Sequence, residues 1–328
     1  MDKQKELEEK LITLLKKETS LAKVCEDLKL TELETLGLVK YIQDRGINIV
    51  VNIKDDGVYM LNQGDIKFKE ENTYKFKTNK KNEFKFVLIS DTRLGSTYQQ
   101  LTILNDIYKK AKDMKYPNVI LCGNISTGLY SSTDPYNETC FLPDTQVQVD
   151  YIAEHYPKVD GIKTYFITGK IDDKHLKYNK INIGKRVADL RDDMIYLGEN
   201  SCNTKIDNVR MQIMSSKLSK TYTVSYRPQQ QMDSFRSEDK PDILLMGGLL
   251  QMEKFTYRNV CCITVPSVCA TTKEMNDKRY ANTIGAWFVT VTTDNLGKLK
   301  KVDAINSTYY TTDKDDYKTC KTLVIGGK

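Results

Sequence analysis

The sequence predicts an α/β protein with a small separate domain at its N-terminus, and two patterns predict this. From Phe84 onward, apolar runs of strand length alternate with amphipathic helical segments. Before that, residues 1–63 carry three helical periods and then two short strands around a turn signal. At 328 residues there is room for one large core and one small one. A hydrophobic fraction of 40% and a charged fraction of 29% describe an ordinary globular chain rather than a disordered one. No apolar run of about 18 residues occurs, so no membrane-spanning helix is expected. The charged start, Met1-Asp-Lys-Gln-Lys-Glu, lacks the apolar stretch of a signal peptide.

In the first domain, Leu7, Leu11, Leu14 and Leu15 recur at helical spacing, and Leu21, Ala22, Val24, Cys25 and Leu28 predict a second, shorter helix. Thr31 caps a third helix, with Glu34 as its capping-box partner. This helix carries Leu33, Leu36, Leu38, Val39 and Ile42 and stops near Gly46. Strands at Asn48–Ile53 and Val58–Leu61 flank Asp55-Asp56-Gly57, a hairpin signal. Three helices and a hairpin is the order of a winged helix-turn-helix. Its third helix opens Thr31-Glu32-Leu33-Glu34, with carboxylates where DNA phosphates would lie, and Asp55 and Asp56 outnumber Lys54 at the wing tip. Docking of another protein is the first reading of this domain, and weak duplex binding the second.

Residues 64–83 read as a basic connector with Lys67, Lys69, Lys75, Lys77, Lys80 and Lys81. Ile66, Phe68, Tyr74 and Phe76 alternate with the lysines, the pattern of an edge strand with one basic face. Lys75, Lys77, Lys80 and Lys81 therefore form either a solvated face or an anion-binding strip. The net charge of +6 neither demands nor excludes nucleic acid, whose binders concentrate charge on one face.

Residues 84–328 form the large domain. Strands are expected at Phe86–Ser90, Val119–Cys122, Thr164–Thr168, Met194–Leu197, Val209–Met214, Tyr222–Tyr226, Ile243–Met246, Val260–Val265, Ala286–Thr293 and Lys300–Tyr309. Helices are expected at Thr97–Met114, Gln146–Tyr156 and Ile183–Leu190. Eight cysteines are scattered without a Cys-x-x-Cys pair. That usage suits buried reduced thiols in a cytoplasmic protein, and it does not suit a zinc site.

Five segments follow predicted strands in a recognisable order. They are Val87-Leu-Ile-Ser-Asp91-Thr-Arg93, Val119-Ile-Leu-Cys-Gly123-Asn124, Tyr165-Phe-Ile-Thr-Gly169-Lys170-Ile171-Asp172, Met211-Gln-Ile-Met-Ser215-Ser216 and Asp242-Ile-Leu-Leu-Met-Gly247-Gly248-Leu249-Leu250. Their order and spacing resemble those of the calcineurin-like metallophosphoesterases, in which D-x-H, G-D, G-N-H-[DE], a lone His and G-H-x-H hold two metal ions. The resemblance covers roughly residues 84–310 and implies a two-sheet αββα sandwich. The segments Thr164–Gly169, Arg191–Gly198 and Tyr226-Arg-Pro-Gln also resemble phosphoesterases of tailed bacteriophages. That implies a virion or replication setting, in host cytoplasm or particle.

By that alignment most metal ligands are gone. Asp91 remains, but Arg93 stands for a histidine, Asn124 for the bridging aspartate, and Lys170 and Ile171 for Asn and His. Asp172 remains, Ser215 or Ser216 replaces the fourth motif's histidine, and Gly248 and Leu250 replace both histidines of the last. Arginine and protonated lysine cannot ligate a metal, and leucine and isoleucine have no donor. Only His155 and His175 occur in the whole chain, at no ligand position, and both read as ordinary surface or helix-end residues. The expectation is a pseudoenzyme without metal or cofactor, a scaffold or docking subunit with protein partners in a larger assembly. A residual metal-dependent phosphodiesterase or nuclease is the alternative. Asp91 and Arg93 form either an ion pair in the first metal's place or the remains of drift.

Overall fold

The computed structural model describes residues 2–15, 17, 19–44, 49–53, 58–63, 73–217, 223–236, 239–313 and 316. The expected turn at Asp55-Asp56-Gly57 lies outside them, as do Lys54, Ile66, Lys67, Phe68, Lys69 and Cys320. The chain forms two compact units, Met1–Glu71 with Phe235–Lys240, and Asn72–Ser234 with Pro241–Lys328.

The small unit runs α1 (Asp2–Leu14), β1 (Thr19–Ser20), α2 (Leu21–Leu28), α3 (Glu32–Asp44), β2 (Ile49–Ile53) and β3 (Tyr59–Gln63). Its strands form an antiparallel sheet in the order β1-β3-β2. The capping box is present: the Thr31 amide donates to Glu34 Oε2 at 2.9 Å, and the Glu34 amide donates to Thr31 Oγ1 at 3.3 Å. Leu11, Leu15, Leu21, Val24, Leu28, Val39, Ile42, Ile49 and Leu61 make the core. Leu33 and Leu36, on the same helix as Val39 and Ile42, are exposed, Leu33 at 83%. With Val39 and Ile42 facing inward, the helical period turns Leu33 to solvent.

The large unit is the expected αββα sandwich. One sheet has the order β12-β13-β11-β10-β9-β4, built from β4 (Tyr74–Phe76), β9 (Ser201–Ile206), β10 (Val209–Ser215), β11 (Ile243–Gly247), β12 (Lys254–Tyr257) and β13 (Val260–Thr264). The other has the order β15-β14-β5-β6-β7-β8, from β5 (Glu83–Ile89), β6 (Asn118–Cys122), β7 (Lys163–Thr168), β8 (Met194–Glu199), β14 (Gly285–Thr293) and β15 (Leu299–Thr308). β5 to β8 are mutually parallel, and so are β10, β11 and β13. Phe86, Leu88, Ile120, Ile167, Ile213, Leu245 and Ile263 fill the space between the sheets. The alternate residues of β5 and β6, Val87, Ile89, Val119 and Leu121, pack in the outer layer with α4 (Leu101–Asp113), α5 (Thr145–His155) and α7 (Ile183–Leu190). Burial on both faces explains why these strands read as continuous apolar runs. α8 (Tyr226–Ser234) lies against β13 on the other side.

Several elements differ from expectation. α4 begins at Leu101 rather than Thr97, because the Thr97 amide donates to the Thr139 carbonyl and the Tyr98 carbonyl accepts from Ala270, which commits that backbone elsewhere. No strand forms at 223–226; Tyr226 opens α8, with Pro228 in the first turn, where its missing N–H costs nothing. β9, β12, α6 (Asp173–Asn179) and α9 (Lys273–Asp277) have no counterpart among the expected elements. The edge strand expected in the connector is present: Tyr74–Phe76 pairs with β9 at the sheet's edge. The seven described cysteines are free thiols, and burial pushes Cys202 up to about 11 and Cys262 up to about 12. Among the described residues no helix is long and apolar enough to cross a membrane.

Candidate functional site

Asp91, Asn124 and Lys170 stand just beyond the carboxyl ends of β5, β6 and β7. Ser215 ends β10, and Gly248 follows β11. In α/β sheets such ends are where ligands are received. The two sheets close tightly on each other there. A Cβ at Gly123, after β6, would collide with the Ser215 side chain, and one at Gly247, ending β11, would collide with the Cys122 carbonyl.

At the centre is the fully buried carboxylate of Asp91. Its Oδ1 accepts from Arg93 Nε at 3.1 Å, Arg93 Nη2 at 3.0 Å and Asn124 Nδ2 at 3.0 Å, and its Oδ2 accepts from Ser90 Oγ at 2.9 Å. Three of these four donors converge on Oδ1 and share its two lone pairs, and the guanidinium neutralises the carboxylate's charge. Arg93 is 2% exposed. Burial works against its charge, yet the adjoining Asp91, helped by Cys269 and Tyr130, holds its pKa above the usual arginine value. Beyond the guanidinium is a cleft of about 10 Å³ with Thr127, Tyr130 and Glu274 in its walls, which is room for about one water.

Asn124 turns its other end to the third motif, where its Oδ1 accepts the Ile171 amide at 3.0 Å. Gly169 lets it do so, since a Cβ at that position would collide with Asn124 Oδ1. Lys170 does not enter the pocket as its position suggested; it lies outside, with Nζ 3.3 Å from Asp173. Asp172 is buried and faces away from Asp91's network. It accepts from the amides of Ile125, Ser126 and Gly169 at 3.2, 3.0 and 2.8 Å and from Ser126 Oγ at 2.6 Å. Its pKa rises to about 6, because desolvation outweighs those donors.

His175 overturns the surface reading. It is on α6, fully buried, with Nε2 3.0 Å from Ser126 Oγ and Nδ1 2.9 Å from Thr145 Oγ1. Burial lowers its pKa to about 4, so the ring is neutral. His155 does end its helix, and its ring lies 4.3 Å from that of Tyr151. Ser215 is 4% exposed and its Oγ has no hydrogen-bond partner among the described residues. Gly248 has φ +78°, and any Cβ there would meet the Ser216 carbonyl. Leu250 packs with Cys269 and Met275.

Two divalent ions do not fit this donor set. Among the described residues no group of three His, Cys, Asp or Glu side chains could hold a metal. Asp91 is neutralised by the guanidinium beside it, and the fifth motif's backbone has no room for a side chain at Gly248. Sequence reading found Asp91, Arg93 and Asn124 but missed Ser90, Ser126 and the role of Gly169. Ser90 directly precedes Asp91, and that adjacency was the available signal.

Of the four candidate lysines in the basic strip, the structure separates two from two. Lys75 and Lys77 line a cavity of about 370 Å³ at the amino ends of β5 and β6, whereas Lys80 and Lys81 are exposed on the neighbouring turn.

No protein-family model and no curated protein matches the chain. Among solved structures it is similar to an archaeal phosphodiesterase, with a TM-score of 0.37 and 12% identity over 68% of this chain and 99% of that one. It is similar to Vps29 of Entamoeba histolytica complexed with zinc, with a TM-score of 0.33 and 12% identity over 68% and 98% of the two chains. Vacuolar protein sorting 29 of Cryptosporidium parvum gives a TM-score of 0.33 and 11% identity, over 70% and 99%.

Proposed function

We propose that the chain is a pseudoenzyme: a metallophosphoesterase-like scaffold or docking subunit of a larger assembly, without metal-dependent catalysis. The buried ion pair of Asp91 with Arg93 carries this reading. A divalent ion needs lone pairs offered at about 2 Å, and on Asp91 a cation stands there instead, with Arg93 Nε and Nη2 3.1 and 3.0 Å from Oδ1. A cleft of about 10 Å³ is also far below the roughly 300–1,000 Å³ of a small-molecule site. The partners are proteins, and the phage-like segments suggest a virion or replication complex. Exposed Leu33 and Leu36 on the acidic helix α3 suit protein docking better than a phosphate backbone.

The test is elemental analysis of the purified protein, with turnover of a phosphodiester model substrate in excess manganese. The expected result is no stoichiometric metal and no turnover above background, in the native chain and in Arg93→His alike. Two bound ions per chain with matching turnover would overturn the proposal in favour of a residual phosphodiesterase.

A further inference from the structure

We infer a second binding site, for a phosphate-bearing ligand of nucleotide size, at the opposite pole of the sandwich from the Asp91 pocket. The cavity of about 370 Å³ lies between the edge strand β4 with its following turn, the start of β5, and residues 115–118 leading into β6. That volume falls within the roughly 300–1,000 Å³ of small-molecule sites, unlike the cleft at Arg93.

Its chemistry has two parts. Lys75, Lys77, Lys85 and Lys115 line it, and Glu83 is the one carboxylate among the lining residues. Glu83 lies 3.7 Å from Lys85 Nζ, a loose, part-exposed pair that offsets one of the four cations. Lysines from three separate stretches of chain thus converge on one concavity, which the connector's sequence alone did not show. Lys115 is held there by a left-handed backbone (φ 59°), with its amide bonded to the Lys112 carbonyl. The wall behind them is aromatic. Phe76 is 4.8 Å from Phe84 and 4.9 Å from Tyr165 between ring centroids, and Tyr74 is 5.4 Å from Tyr165. Phe76, Phe84 and Tyr165 are anchored in the core between the sheets and Tyr74 packs partly buried against them, which makes a rigid apolar back wall. The ammonium groups give point charges for phosphate oxygens. A ligand with a phosphate and a flat apolar ring matches both parts. That is a nucleoside phosphate, either free or as one unit of a single strand, where aromatic packing and cationic rim act together.

The experiment titrates the full chain with AMP, inorganic pyrophosphate and an oligo-dT by calorimetry, at about 50 and 200 mM salt. AMP is expected to saturate one site per chain, more tightly than pyrophosphate. Lys77→Ala with Lys115→Ala should weaken it by at least roughly tenfold, as expected when two charge-assisted hydrogen bonds are removed. Lys177→Ala with Lys185→Ala, on α6 and α7 beyond the carboxyl end of β7, should leave it unchanged. Oligo-dT binding tighter than AMP assigns the site to a strand, and equal binding assigns it to a free nucleotide. The inference is overturned if no probe saturates at millimolar concentration. It is equally overturned if the Lys77/Lys115 variant binds as the native chain does. All four substituted residues are exposed, so loss of fold does not intervene.

Discussion

Arg93 holds a left-handed backbone, φ 45°, and so do Asp91 at 50°, Asn124 at 58° and Leu250 at 62° around it. For non-glycine residues that costs about 1–3 kcal/mol each and persists only where the surroundings impose it. Here the imposing element is the bond network on Asp91. Arg93→Ala would leave a buried carboxylate without its counter-charge, at a cost of about 3–5 kcal/mol. Replacing both Asp91 and Arg93 by uncharged residues of similar volume should cost much less, since no orphan charge remains. A double-mutant cycle by denaturant unfolding measures this, and a neutral Arg93→Ala would mean the pair contributes nothing. A second network gives a pH prediction. His175 is lowered from 6.5 to about 4, so the unfolded state binds the extra proton and stability from this group is lost as pH falls through that window. Asp172 is raised from 3.8 to about 6, so its contribution is present at low pH and lost as pH rises through 6. Each is worth about 3 kcal/mol and they oppose one another. His175→Gln removes only the first. Its stability deficit relative to the native chain should therefore shrink by about 3 kcal/mol between pH 7 and pH 4. A deficit that stays constant with pH would refute the assignment.

Strands were the legible elements because most of their residues are apolar on both faces, and β10 alternates cleanly instead. β5, β6, β7, β10 and β11 all lie within a few residues of their expected positions, and the motif residues at their ends follow. What could not be read was direction. Lys170 and Arg93 are both long cations just past parallel strands with a buried carboxylate two residues away. Yet Arg93 turns inward to Asp91 while Lys170 goes outside, where Asp172 is already met by Ile125, Ser126 and Gly169. α6 has seven residues, too few to show a helical period, and so nothing in the sequence around His175 signalled its burial. β9 reads Ser-Cys-Asn-Thr-Lys-Ile, and its alternating buried positions are Cys202, Thr204 and Ile206, with threonine hiding the pattern. Caps were clearer, since they are local. The Thr31–Glu34 box was expected from four residues, and Thr31→Ala should lower the stability of the small unit by about 1 kcal/mol. Denaturant unfolding followed by helical circular dichroism reads this, and an unchanged midpoint would mean that the cap is without effect.

At the scale of the whole molecule, the charge of +6 is unevenly spread. α3 begins with Glu32 and Glu34, while Lys75, Lys77, Lys80 and Lys81 crowd one short stretch of the large unit. A helix that reads duplex DNA brings its first turn to base edges and phosphates. Two carboxylates there oppose the phosphates, and Leu33 between them offers an apolar surface instead. Duplex binding should therefore be weak, indifferent to sequence, and carried by the lysines. Since each neutralised phosphate releases counterions, such binding falls steeply with salt. Fluorescence anisotropy of the full chain with a labelled duplex tests this at two salt concentrations. Replacing Lys77, Lys80 and Lys81 by alanine should abolish most of the residual binding and flatten the salt dependence by about one ion for each lysine that meets a phosphate. Tight, sequence-selective binding that survives those substitutions would move the nucleic-acid interface onto the small unit. In that case α3 would approach DNA by a face other than its acidic first turn, and the docking role assigned to the small unit would fall with it.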